Sequence, residues 1–249
     1  MKILVALKQV PDTETKIKIA ADGKSIDTAD VKWITSPYDE YAIEEALRLK
    51  ESKGAAVTAL SVGEDKAKDV LRNALALGAD GAVLLKSAEA GDPLAVARLI
   101  ADYAKDKGFD LIMMGHKGYG GDNASVGPMV AELLGVAQAN VVTKLELGEG
   151  SFRAEREGEG GTEILEGSLP VVVTAQRGLN EPRYASLKGI MAAKKKPIEE
   201  VAAGAVGAAS SVSALALPPT RSEGKRIAGD PPAQAKALVE LLRDEAKVL

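Results

Sequence analysis

The sequence predicts an α/β fold: an open, mostly parallel sheet with helices on both faces, an added antiparallel section and an extended C-terminal arm. Three observations carry this. Strand-like apolar runs alternate four times with helix-period segments before residue 135, through short connections, and each helical segment ends at a glycine. After about residue 138, strand-like segments follow one another with no helix between them. From about residue 200 the chain is too poor in large apolar residues to build a core of its own, so it is expected to lie on another surface.

Residues 2–7 (KILVAL) form a nearly continuous apolar run, suited to a strand buried on both faces. Residues 10–30 alternate at Lys16-Ile17-Lys18-Ile19 and turn at Asp22-Gly23, which reads as a hairpin or edge excursion. Ser36-Pro37 opens a helix over 38–51 that Gly54 closes. Strand 56–62, helix 64–77, strand 82–85, helix 93–107, strand 109–114 and helix 123–134 follow, with Gly78, Gly108 and Gly135 as the helix stops. Segments 139–147, 151–157, 163–166 and 169–175 read as an antiparallel meander with glycine-rich turns. Residues 177–196 are polar and irregular, 202–216 are rich in Ala, Gly and Ser, and 233–248 form a last amphipathic helix.

Composition narrows the chemistry. There is no cysteine and one histidine, His116, among 249 residues. Disulfides, thiolate metal sites, Cys nucleophiles and His-rich metal sites are excluded, and a Ser-His-Asp triad would have to use His116. The net charge of −4 gives no sign of nucleic-acid binding. The apolar run at the N-terminus is too short for a signal segment or a membrane span, so a soluble, cytoplasmic protein without membrane insertion is expected. A reactive group for redox or group transfer would come from outside the side chains.

The most informative loop runs from Gly115 to Gly127, after a buried strand and into a helix. Open α/β sheets bind ligands at the carboxyl ends of their strands. A helix N-terminus offers unpaired N–H groups and a positive dipole end to phosphate. Gly118, Gly120 and Gly121 would let the backbone approach a ligand, Asp122 or Asn123 would cap the helix, and Ser125 would donate to an anion. The plainer alternative is a flexible connection with an N-cap. The loop is neither a Walker motif nor GxGxxG followed by an acid for ribose, which favours holding a nucleotide over hydrolysing it. Residues 6–8 and 61–63 end two strands facing the same crevice, and residues 36–39 would close it. Residues 183–191 place Tyr184, Leu187, Ile190 and Met191 in a polar segment just before the basic run Lys194-Lys195-Lys196. Apolar anchors beside charges suit a partner-docking loop, unless these side chains fold back onto the domain.

These residues resemble the β subunit of electron-transfer flavoprotein. The resemblance rests on residues 154–165 (AEREGEGGTEIL) with Pro170 and the following valines, on residues 179–191 (LNEPRYASLKGIM) with Lys194-Lys195-Lys196, on residues 3–10 with Val31, Lys32, Ser36 and Pro37, and on the 115–127 loop. It covers residues 1 to about 200, and the Leu217-Pro218-Pro219 tail is also family-like.

The resemblance implies a fold like that of adenine-nucleotide α-hydrolases, organised as a nucleotide-binding domain over 1–200, with a docking loop at 183–197, and an arm over 201–249 that packs on an α subunit. It implies an electron carrier and not an enzyme. FAD would be held mainly by the α subunit, and a structural AMP would be buried in this chain. AMP would contact Ala6, the segment Ser36, Pro37, Tyr38 and Asp39, then Val62, and in the loop Gly115, Gly118, Gly121, Asp122, Asn123, Ala124, Ser125 and Val126, with its phosphate near residues 123–126. Thr13 and Tyr38 would look toward the flavin. Leu187 would be the docking anchor, with Arg183, Tyr184, Ile190, Met191 and the three lysines around it. Flavoprotein dehydrogenases would be the donors, and a quinone oxidoreductase an acceptor. Many relatives carry acids at Gly120 and Gly121, Asn, Gln or Thr at 124–126, and some an aromatic at Thr13. These departures leave open a bifurcating relative with a second FAD in the nucleotide site and NADH as donor. A third reading, from another class, is an adenine-nucleotide-binding stress-type protein.

Overall fold

The computed structural model describes residues 1–88, 91–221 and 223–249. It divides into two compact units, Met1–Ala214 and Leu215–Leu249. The first begins with β1 (Lys2–Ala6), β2 (Gln9–Pro11), β3 (Trp33–Thr35), α1 (Pro37–Lys53), β4 (Ala56–Gly63) and, after a 3₁₀ turn, α2 (Lys68–Leu77). It continues with β5 (Gly81–Lys86), α3 (Pro93–Ala104), β6 (Leu111–Gly115), α4 (Val126–Leu134), β7 (Ala137–Leu147), β8 (Ser151–Gly158), β9 (Gly161–Ser168), β10 (Val171–Ala175), α5 (Leu187–Ala193) and β11 (Glu199–Ala202).

Nine strands form one sheet in the order β11-β5-β4-β1-β6-β10-β7-β8-β9. Every pairing from β11 to β7 is parallel, and β7-β8-β9 is antiparallel. The predicted class therefore holds, with one correction inside it. Segment 169–175 is not the last strand of the meander. It returns as β10 between β6 and β7 and runs parallel to both. All five β10 residues are buried, as expected of an interior strand covered on both faces, and the one polar side chain, Thr174, is hydrogen-bonded.

Strand alternation sorts the core into two layers. Ile3, Val5, Val57 and Val173 face α1 and α2 on one side. Leu4, Ala6, Leu60 and Val172 face α3 and α4 on the other. Asp92 caps α3 through the Ala95 amide at 2.7 Å. The excursion over 12–32 makes only an isolated bridge, Ile19 with Ile26, and its base is the short β2–β3 pair.

Past residue 200 the first unit continues. β11 covers the outer edge of β5, and Ala203 and Val206 pack on the second core layer. Ser210 donates to Asp92 from both its amide, at 2.6 Å, and its hydroxyl, at 2.7 Å. The second unit contains α6 (Pro231–Glu240), capped by Asp230, and a π turn over Leu241–Glu245 held by the Lys225–Glu245 ion pair. No α6 side chain is buried, and Leu217, Leu238, Val239 and Val248 are exposed. Among the described residues no helix is long and apolar enough to cross a membrane.

Candidate functional site

The sheet changes direction of growth at β1: the chain builds outward through β4 and β5 on one side and through β6 on the other. Such a switch point leaves a crevice beyond the carboxyl ends of the strands. Here it is an open-mouthed cleft. Its floor is Ala6, Leu7 and Lys8 from β1, Leu60, Ser61 and Val62 from β4, and Met114 and Gly115 from β6. The 115–127 loop forms one wall. The opposite wall is Gly91 with Pro93, Val96 and Ile100 of α3, which the sequence reading did not include.

Of the expected nucleotide-contacting residues, Ala6, Asp39, Val62, Gly115, Gly118, Gly121, Asp122, Asn123, Ala124, Ser125 and Val126 line this cleft together. Ser36, Pro37 and Tyr38 stand behind the lining. The Ser36 hydroxyl accepts the Tyr119 amide at 3.4 Å, and the Tyr38 ring meets His116 edge-on at 5.6 Å. Ser36 and Tyr38 thus touch the loop without lining the cleft. Thr13 is exposed in the turn after β2 and does not line the cleft.

The loop glycines have different tasks. A Cβ on Gly115 would lie 2.6 Å from Asp39 Oδ1 and from Tyr38 Cβ, so this strand end must be bare for α1 to approach. A Cβ on Gly118 would lie 2.8 Å from the Lys8 side chain, which runs along the loop toward Gly121. Gly120 takes φ +84°, and Asp122 and Ala124 take φ +49°. These left-handed residues delay the helix, so α4 starts at Val126 and not at residue 123. Asp122 is therefore not its cap, and Ser125, at the N-cap position, makes no side-chain cap bond. The first amides of a helix have no acceptor within it. At α4 the first residues, Val126 and Gly127, are part of the cleft lining, and the Lys8 ammonium lies against Gly118 and Gly121 of the same loop. This donor set and charge fit an anionic group such as a phosphate.

Asp39 is the buried acid of the site, 4% exposed. Its carboxyl accepts the Lys8 amide at 2.6 Å and the Gly115 amide at 2.7 Å, tying together the ends of β1 and β6. Burial pushes it up to about 7 against the pull of these two bonds. Burial, with Lys117 nearby, holds His116 below its ordinary value, so its ring is neutral at pH 7. Lys117 lies 5.5 Å over the Tyr38 ring and 3.4 Å from Asp122. Among the described residues no group of three or more His, Cys, Asp or Glu side chains is placed to hold a metal.

The 183–197 segment is a second feature. Tyr184 is 98% exposed and Leu187 78%, with Ile190 and Met191 also exposed. These side chains do not fold back onto the domain. The start of the segment is pinned to α1. Asn180 donates to the Tyr41 carbonyl and to Glu45, each at 3.0 Å. Arg183 pairs with Glu44 at 2.8 Å and with Glu51. Burial raises Glu44, but hydrogen bonds from Arg183 and Arg48 outweigh it and leave the carboxyl below its usual range. Lys194 and Lys195 are exposed, and Lys196 reaches the Ala79 carbonyl at 2.8 Å.

Comparison with known proteins places the chain in a family. Residues 24–206 match the electron transfer flavoprotein domain. The electron transfer flavoprotein subunit beta of Bacillus subtilis is 44% identical over the full length of both chains. That of Syntrophomonas wolfei is 41% identical over all of this chain and 98% of the relative. The mouse protein of the same name is 40% identical over 91% of this chain and 92% of its own.

Proposed function

The chain belongs to the electron transfer flavoprotein family, as a β subunit, and from that premise we propose that it is the nucleotide-bearing and partner-docking half of a heterodimeric electron shuttle. It carries electrons from flavoprotein dehydrogenases to an acceptor such as a quinone oxidoreductase, in the cytoplasm. The electrons travel on FAD held mainly by the α subunit. This chain's own residues bind, orient and dock. Lys8 and the first amides of α4 hold the phosphate of AMP, and the small side chains of Ala6, Val62 and Gly115 leave room for its nucleoside. Tyr38 and Thr13 face the flavin side. The arm packs on the α subunit through its second unit, from Leu215 on, for which the exposed Leu217, Leu238 and Val239 are suited, while residues 201–214 stay with the first unit.

The observation that carries the reading is the exposed apolar set Tyr184, Leu187, Ile190 and Met191 on a segment whose base is held by ion pairs. Apolar anchors exposed at a fixed place are what a transient partner buries. The test is reduction of the heterodimer by its partner dehydrogenase with Leu187→Ala. Losing a buried leucine anchor costs about 2 kcal/mol, or roughly thirtyfold in docking. FAD and AMP content should not change. Wild-type coupling in this variant would sink the docking role.

A further inference from the structure

We infer that Arg72, on α2, is a positioning residue that holds the docking helix α5 in its partner-ready form; this rests on the docking reading above. α5 has seven residues, too few to be stable alone in water. Its order must come from what holds it. The Ser186 hydroxyl accepts the Gly189 amide at 3.0 Å and caps its start. Its middle lies directly on α2: a Cβ on Gly189 would fall 2.3 Å from the Ala76 carbonyl oxygen. Ala193 is its one buried residue. Its end is closed by Arg72, whose Nη1 donates to the Ala193 carbonyl at 2.5 Å and the Lys196 carbonyl at 2.7 Å.

A helix C-terminus leaves carbonyls without partners and favours a cation beside them. Arg72 supplies both needs from a neighbouring helix. The apolar side chains of α5, at 187, 190 and 191, are exposed and so contribute little to holding it. Without Arg72, α5 rests on its cap, the Gly189 contact and the Lys196 bond to Ala79. A docking form populated one-tenth of the time binds about tenfold more weakly, with the bound complex unchanged. The role of Arg72 is therefore to present Leu187, with no contact of its own to the partner.

The test uses the full heterodimer with Arg72→Met, Arg72→Lys and Leu187→Ala, assayed for reduction by the partner dehydrogenase and for hydrogen exchange of the 187–193 amides. Arg72→Met should raise the KM for the carrier about tenfold, leave kcat unchanged and speed exchange in α5. Arg72→Lys, which keeps a cation at the helix end, should recover part of both effects and serves if the Met variant folds poorly. Unchanged exchange in α5 overturns the positioning role, because that readout needs no partner. A wild-type KM for the Arg72 variants, beside a raised KM for Leu187→Ala, also overturns it while leaving the docking reading intact. A wild-type KM for Leu187→Ala overturns the docking reading itself.

Discussion

Replacing Asp39 with Asn should convert a pH-dependent strut of the cleft into a pH-independent one. The folded carboxyl titrates near 7, above its ordinary 3.8, because it is buried. The folded state therefore binds this proton more tightly than the unfolded chain. The stability this group contributes is fully present below pH 4 and is lost as pH rises toward 7. The gap between 3.8 and about 7 corresponds to about 4 kcal/mol across that window. An asparagine side chain has no charge and contributes no such slope. It keeps one acceptor, but sets an amide NH₂ against one of the two backbone donors, from Lys8 or Gly115. That costs about 1–3 kcal/mol at every pH. The Asp39→Asn variant should be less stable than wild type at pH 4.5 and equal or more stable at pH 7.5. His116 acts in the opposite direction: its folded value is lowered from 6.5, so its contribution is lost as pH falls below that value. Both proteins carry His116, so the difference between them isolates position 39. Urea unfolding of both heterodimers from pH 4.5 to 7.5 measures it. A stability difference that stays constant across that range would refute the reasoning.

Two further substitutions probe the cleft. Lys8→Met keeps the stem along Gly118 but removes the ammonium from the loop. It should weaken retention of an adenine mononucleotide about tenfold, measured by dialysis and nucleotide release, and undiminished retention would contradict the phosphate assignment. Gly127→Ala places a Cβ 2.3 Å from Thr174 Cγ2 on β10 and should push α4 off the sheet. The expected loss is about 1–3 kcal/mol, read as a lower Tm, and an unchanged Tm would mean that the contact relaxes freely.

The legibility of the fold followed its physics. β1, β4, β5 and β6 were readable because interior parallel strands are near-continuous apolar runs. The position of β10 was not, because neighbour order is set by packing and the local pattern resembles any buried strand. β11 was missed because four residues with two glutamates, Glu199 and Glu200, give no apolar run, and an edge strand needs none. The start of α4 was misplaced by the left-handed residues Asp122 and Ala124, which composition does not announce. The loop wall of the cleft was visible as a glycine-rich strand-to-helix connection. The α3 wall was not, since Pro93 and Val96 look like ordinary helix-face residues until the helix is placed. Apolar residues in the docking segment could be counted from the sequence. Their exposure could not, and neither could the bonds of Arg183 and Arg72, which join the segment to residues far away in the chain.

The measurement that bears most directly on the account is the cofactor content of the heterodimer formed with the α subunit. Acid release followed by chromatography should give one FAD and one AMP per heterodimer, with both retained in Leu187→Ala. Two FAD per heterodimer, or no adenine mononucleotide, would contradict the assignment of this cleft.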